Sequence, residues 1–311
     1  MKKLLLILFL SSIAVQAQTN YNADTTYTPK SVYNKEIKNY PFTSIAQSKR
    51  HPNVLEKKEI VYCKINDRKL HLDAYYTNQK NPVIVILHGG GWKSGNKSQM
   101  ETFAQEMASK GFSCFTIEYR LSQEAKYPAS IFDAKKAIQF IKINAKQFNA
   151  DSTKIAILGC SSGGQMAALI GATNNNSTFE NNDTNQKITS NVQAIVDIDG
   201  ILAFKHPESE EGTVAELWLG GNYQEKPEVW QQASALTHTD KNTPPTLFIN
   251  SSKKRFHAGR DNMIVILNQY KIYNEVKTFE NSPHSFWFLN PWFDETVDTT
   301  VQFLNKIFKI N

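Results

Sequence analysis

A chain of 311 residues with 41% hydrophobic and 11% aromatic content can bury a large core and suits one α/β domain better than two. Its net charge of +6 comes from basic residues spread among acids, which excludes a clustered nucleic-acid platform and leans only slightly toward anionic substrates. Three cysteines, Cys63, Cys114 and Cys160, are an odd number without metal-ligand spacing, so neither a disulfide framework nor a zinc site is indicated.

In chain order, Lys2 and Lys3, an apolar run beginning at Leu4 and Val15-Gln16-Ala17 predict a secretory signal over residues 1–17, cleaved after Ala17. Ser11, Ser12 and Gln16 interrupt the run short of the ~20 residues a membrane span needs. The expectation is a secreted or periplasmic protein with no stable membrane insertion. Residues 18–50 are polar without sustained period and read as an N-terminal arm; residues 51–311 read as the catalytic domain. Runs at 59–65 and 70–76 flank Asn66-Asp67 and predict a hairpin.

Beyond the hairpin, short β-branched runs at 83–87, 113–117, 154–158, 194–198, 246–249 and 275–279 alternate with helical spacing at 99–110, 131–148, 165–172 and 263–273. That alternation predicts a mostly parallel sheet with helices on both faces and its chemistry at the carboxyl ends of the strands. Residues 173–191 are rich in Asn, Ser, Thr and Asp and read as a surface loop. Residues 202–245 are too long for a simple connection and predict a cap or substrate wall.

The chemistry centres on Gly159-Cys160-Ser161-Ser162-Gly163, set between a strand and a helix. Small residues there let a sharp turn close and leave the Ser161 hydroxyl exposed as a nucleophile. Upstream, His88-Gly89-Gly90-Gly91-Trp92 follows a strand, so the N–H groups of Gly90 and Gly91, with that of Ser162, can meet a developing oxyanion. Downstream, His284 follows the last strand and is the expected base, with His238 and His257 as rivals. For the acid, Asp199 at the end of run 194–198 is preferred over Asp261, which follows the next strand late and near a helix start. Asp197, within the run itself, is the weaker choice.

These motifs, with Tyr119-Arg120-Leu121, Tyr127-Pro128-Ala129, Asp133 and Ala233-Ser234-Ala235-Leu236, make residues 59–309 resemble α/β-hydrolase esterases acting on plant cell-wall polysaccharides. The resemblance is strongest to the bifunctional feruloyl and acetyl-xylan esterase-like group, and more distant to hormone-sensitive-lipase-type esterases. It implies the α/β-hydrolase fold and a serine ester hydrolase that needs no cofactor or metal. Its substrate would be an acetyl or methyl ester of pectin or xylan.

Where the resemblance leads one to expect the acid, this chain instead carries Arg255, His257 and Arg260, a basic cluster suited to clamping a substrate carboxylate; Trp92 is a further substrate contact. Two other readings are a serine peptidase of the prolyl-oligopeptidase type, for which the chain lacks a propeller-sized domain, and a non-catalytic binding protein. No motif bears on oligomeric state.

Overall fold

The computed structural model describes residues 23–49, 51–180 and 188–310; the expected signal segment lies outside them. The described chain runs through helix α1 (Pro29–Glu36) and strands β1 (Ser44–Ile45), β2 (Leu55–Ile65), β3 (Arg68–Tyr76) and β4 (Asn81–Leu87). Helix α2 (Glu101–Ser109), β5 (Ser113–Ile117), α3 (Ala129–Ile143), β6 (Ala150–Cys160), α4 (Ser162–Ala172) and β7 (Ala194–Ile198) follow. Three short helices, α5 (Gly212–Leu219), α6 (Pro227–Gln232) and α7 (Ala235–His238), precede β8 (Thr246–Asn250). Helix α8 (Arg260–Gln269), β9 (Asn274–Thr278), β10 (Leu289–Asn290) and α9 (Trp292–Phe308) complete the described chain.

Strands β2 to β9 form one sheet in the order β2-β3-β5-β4-β6-β7-β8-β9, antiparallel at the β2-β3 and β3-β5 pairings and parallel from β5 to β9. The α/β architecture expected from alternating runs is therefore present, and the predicted hairpin is β2-β3. All seven residues of β4 are buried, which is why that strand reads as an unbroken apolar run. Its pleat still sorts the side chains: Val83, Val85 and Leu87 join the core beneath α3 and α4, while Ile84 and Ile86 join the core beneath α2 and α9.

The strand order changes direction at β4, with β5 on one side and β6 on the other. Such a switch opens a crevice at the carboxyl ends of the two strands, because their following segments diverge to opposite faces. Leu87 is in register with Gly159, so the glycine loop after β4 and the turn after β6 emerge side by side.

Two regions depart from the sequence reading. The segment read as an arm without regular structure contains α1, opened by a reciprocal Thr28–Ser31 capping box with Pro29 at the first helical position. It shows no period because Val32 is its one buried residue. β1 then pairs antiparallel with β10, which fastens this segment to the body of the domain. The second departure is α9, which the sequence reading passed over. Phe293, Val297, Leu304 and Phe308 give it a buried stripe at helical spacing. Among the described residues no helix is long and apolar enough to cross a membrane.

Candidate active site

Ser161 sits between β6 and α4 with φ 56° and ψ −122°, a strained conformation that projects its side chain from a sharp turn. Its N–H is held by the carbonyl of Ile198 at 2.8 Å. The flanking glycines are dictated by close approach. A Cβ at Gly159 would lie 2.0 Å from the Gly163 carbonyl oxygen, and one at Gly163 would lie 2.5 Å from the carbonyl oxygens of both Leu87 and His88. The second contact is what packs the glycine loop against the start of α4. Cys160, next to the nucleophile position, is fully buried, and burial raises its thiol well above the usual range, so it is no competing nucleophile.

In the glycine loop, the Gly90 carbonyl accepts from the N–H groups of Lys93 (3.2 Å) and Ser94 (3.0 Å), closing a tight turn. Among the described residues no backbone acceptor engages the N–H of Gly90 or Gly91. Gly91 and Ser162 line a cavity with Ser161, whereas Gly90 is not on its wall. The loop is braced by aromatic packing. Trp92 stacks on Trp218 of α5 at 4.8 Å, and its Nε1 donates to Gln165 on α4 at 3.0 Å. Such stacks are worth ~1 kcal/mol beyond their area burial, and here one ties the 202–245 segment to the loop. Trp92 is thus buried, though it is among the residues that line the cavity.

His88, at the head of the loop, stacks on Tyr119 at 4.3 Å, and the Tyr119 hydroxyl donates to the His88 carbonyl at 2.7 Å. Burial lowers its imidazole from the ordinary 6.5 to about 4, so the ring is neutral at working pH. Because the folded value is the lower one, the unfolded chain binds a proton that the folded chain refuses. This contribution to stability is full above pH 6.5 and lost as pH falls, reaching a loss of about 3 kcal/mol near pH 4. In His88→Gln, urea unfolding should show a correspondingly shallower fall in stability between pH 7 and 4; parallel profiles for variant and wild type would refute the assignment.

The relay itself is complete. Ser161 Oγ lies 2.8 Å from His284 Nε2, and His284 Nδ1 lies 2.8 Å from Asp199 Oδ2. Asp199 is fully buried, and the Ser251 N–H donates to its other oxygen, Oδ1, at 2.8 Å, which fixes the carboxylate plane. Asp199 itself has φ 53°, so the chain turns as β7 ends and aims the side chain at the imidazole. Asp197, two residues earlier, is bonded to the Gly200 N–H, and burial, reinforced by nearby Asp199, raises its carboxyl well above the usual range. Phe256 lies flat on the His284 ring at 3.3 Å between centroids, and Trp287 meets that ring edge-on at 5.3 Å. Sequence reading missed Phe256, since a contact across 28 residues leaves no local signal.

Several expected site residues are elsewhere. Asp261 is exposed and pairs with Arg260 at 2.8 Å in the first turn of α8, where an acid complements the helix N-terminus; it has no contact with His284. Arg260 divides its guanidinium between Asp261 and Asn250, and His257 is buried; neither lines the Ser161 cavity. The expected three-residue clamp is therefore not assembled: adjacent acceptors engage Arg260, and burial withdraws His257. Arg255 alone reaches the cavity, paired with Glu210 at 2.9 Å. His238, the other rival base, bonds the Gln232 carbonyl at 2.8 Å.

The Ser161 cavity has a volume of about 110 Å³. Trp92, Ile201, Val214 and Phe256 give it an apolar wall, while Glu210, Glu211 and Arg255 stand at its polar side. Ile201 and Val214 flank or belong to the 202–245 segment, so that segment builds a wall of the site as its length implied.

Compared with known proteins, residues 70–264 match the BD-FAE family. The chain belongs to the BD-FAE family. The BD-FAE match contains the glycine loop, Ser161 and Asp199, and ends before His284. Esterase LipC of Mycobacterium tuberculosis is 28% identical over 214 residues, covering 66% of this chain and 52% of that one. Carboxylesterase NlhH of the same species is 34% identical over a 90-residue stretch, 29% of this chain and 28% of that protein. The chain spans about half the length of the first curated relatives it matches.

Among solved structures, a bifunctional GH43-CE protein of Bacteroides eggerthii superposes on this BD-FAE chain with TM-score 0.68 and 23% identity, covering 81% of this chain and 38% of that one. An acetyl ester-xyloside bifunctional hydrolase of Caldicellulosiruptor lactoaceticus gives TM-score 0.68 and 23% identity, with 79% and 91% covered. These likenesses agree with the α/β-hydrolase fold read from the sequence.

Proposed function

We propose that this protein is a serine carboxylic-ester hydrolase that removes acetyl groups from plant cell-wall polysaccharide, with pectin or xylan as the carbohydrate. The observation that carries the reading is the unbroken Ser161–His284–Asp199 relay opening into a cavity that also bears Gly91 and Ser162. As Ser161 Oγ attacks the ester carbonyl carbon, His284 Nε2 takes its proton and Asp199 steadies the imidazolium through Nδ1. The N–H groups of Gly91 and Ser162 face the oxygen that gains charge, an interaction worth roughly 3–4 kcal/mol per donor in such sites. His284 then returns the proton to the departing alcohol, and a water, deprotonated by the same imidazole, releases the acid from Ser161.

The cavity size favours a short acyl group. An acetyl ester places two carbons on the acyl side and the sugar on the leaving side; a methyl-esterified uronate would require the polymer itself to fit within about 110 Å³. Names of related proteins, including esterases and an acetyl ester-xyloside hydrolase, support the same reading. Export through residues 1–17 belongs to the proposal, since the polymer lies outside the cell; the exported protein should begin at Gln18, and an unprocessed N-terminus by mass spectrometry would count against it.

The substrate is tested by incubating the protein with acetylated xylan, acetylated pectin and methyl-esterified pectin while acetate and methanol are measured separately. Acetate without methanol is the expected result. Methanol as the main product would overturn the deacetylase reading.

A further inference from the structure

A second cavity, about 590 Å³ in volume, has His284 in its lining and shares Arg255 and Phe256 with the Ser161 cavity. Tyr27 and Lys35 of the N-terminal segment, Lys253 and Arg255, and His284 and Ser285 line it. The segment is built onto the site. The Gly95 N–H donates to the Asp24 carbonyl at 2.7 Å, Gln99 donates to the Tyr27 carbonyl, and the Tyr27 hydroxyl is 2.6 Å from Ser285 Oγ, one residue from the relay histidine. None of residues 24–36 falls within the span matched by the family.

We propose that this cavity is the leaving-group subsite and that it is adapted to an alcohol carrying a carboxylate, the class to which uronosyl residues belong. The assignment rests on reading Ser161 as the nucleophile of ester hydrolysis. His284 must hand its proton to the leaving oxygen, so the alcohol departs beside the imidazole, and His284 is part of the lining of this cavity. The charge on its walls is uneven. Lys35 pairs with Glu36 at 3.6 Å and Arg255 with Glu210 at 2.9 Å, while among the described residues Lys253 has no carboxylate partner, so the lining keeps an excess of positive charge. A cleft with an excess of one sign of charge concentrates ligands of the other. Arg255 also lies over Phe256 at 4.5 Å, which leaves its guanidinium at the junction of the two cavities.

The kinetic test uses two esters with the same acyl group, 4-acetoxybenzoate and 4-acetoxybenzamide, and reads the ratio of their kcat/KM values. Lys253→Glu and Lys35→Glu should each lower the charged-to-neutral ratio roughly fivefold, and salt should lower it in the wild type. Lys64→Glu, an equal charge change at an exposed position on β2, should leave the ratio unaltered. A ratio unmoved by Lys253→Glu and Lys35→Glu, or moved equally by Lys64→Glu, overturns the subsite. Calorimetric titration of the full chain with D-galacturonate and D-galactose separates this inference from the ester-hydrolase reading. Galacturonate binding that weakens in Lys253→Glu supports the subsite even if no ester is cleaved, and equal binding of the two sugars refutes it.

Discussion

Ser161→Ala is expected to lower kcat on an aryl acetate by about 10⁶, with a residue of ~10³ over the uncatalysed reaction. The loss is large because the hydroxyl is the one atom in the relay that forms a bond to substrate; without it His284 and Asp199 have nothing to activate. The residue is the share of the oxyanion donors on Gly91 and Ser162, which stay in place when Oγ is removed. The substitution leaves the backbone turn and its Ile198 hydrogen bond intact, so the fold is retained and KM should change little. A fluorophosphonate probe should label the wild type and not the variant. Turnover within tenfold of wild type would remove Ser161 from the chemistry.

Asp199→Asn should reduce kcat by about 10⁴ without disturbing the fold, whereas Asp261→Asn should stay within about twofold of wild type. The asymmetry follows from the two sites. Asp199 is fully buried, accepts from the Ser251 N–H on one oxygen and meets His284 Nδ1 on the other. An amide of the same shape can keep the first bond, yet turning its NH₂ toward Nδ1 forces the tautomer in which Nε2 carries the proton and cannot accept one from Ser161. Asp261 is exposed and contacts Arg260, so its loss touches only a surface ion pair worth at most about 1 kcal/mol. Equal losses in the two variants would mean that the acid had been assigned wrongly.

How far these features could be read in advance depended on the range of the interactions behind them. Ser161, the glycine loop and the strand runs are local: a buried strand spells itself out in consecutive apolar residues, and a tight turn does so in small ones. Asp199 ranks above Asp261 in the sequence without being decided there, because the bond from Ser251 that fixes its carboxylate comes from chain 52 residues away. Arg255, His257 and Arg260 illustrate the opposite error. Closeness in sequence suggested a common task, yet the 3₁₀ turn at Lys254–His257 and the start of α8 send them in different directions. The N-terminal segment has the pattern of an arm because its helix buries one residue, and its place beside His284 rests on hydrogen bonds to residues as far away as Ser285.

The placement of the acid at the end of β7 has a consequence for how this chain can diversify. With Asp199 supplying the carboxylate, Lys253 and Arg255 in the turn after β8 hold no place in the relay, while Arg255 borders both cavities and Lys253 the larger one. Mutations at those two positions can be sorted by selection for new ligands without touching the relay, whereas Phe256 and the His284 ring it covers are bound to vary together.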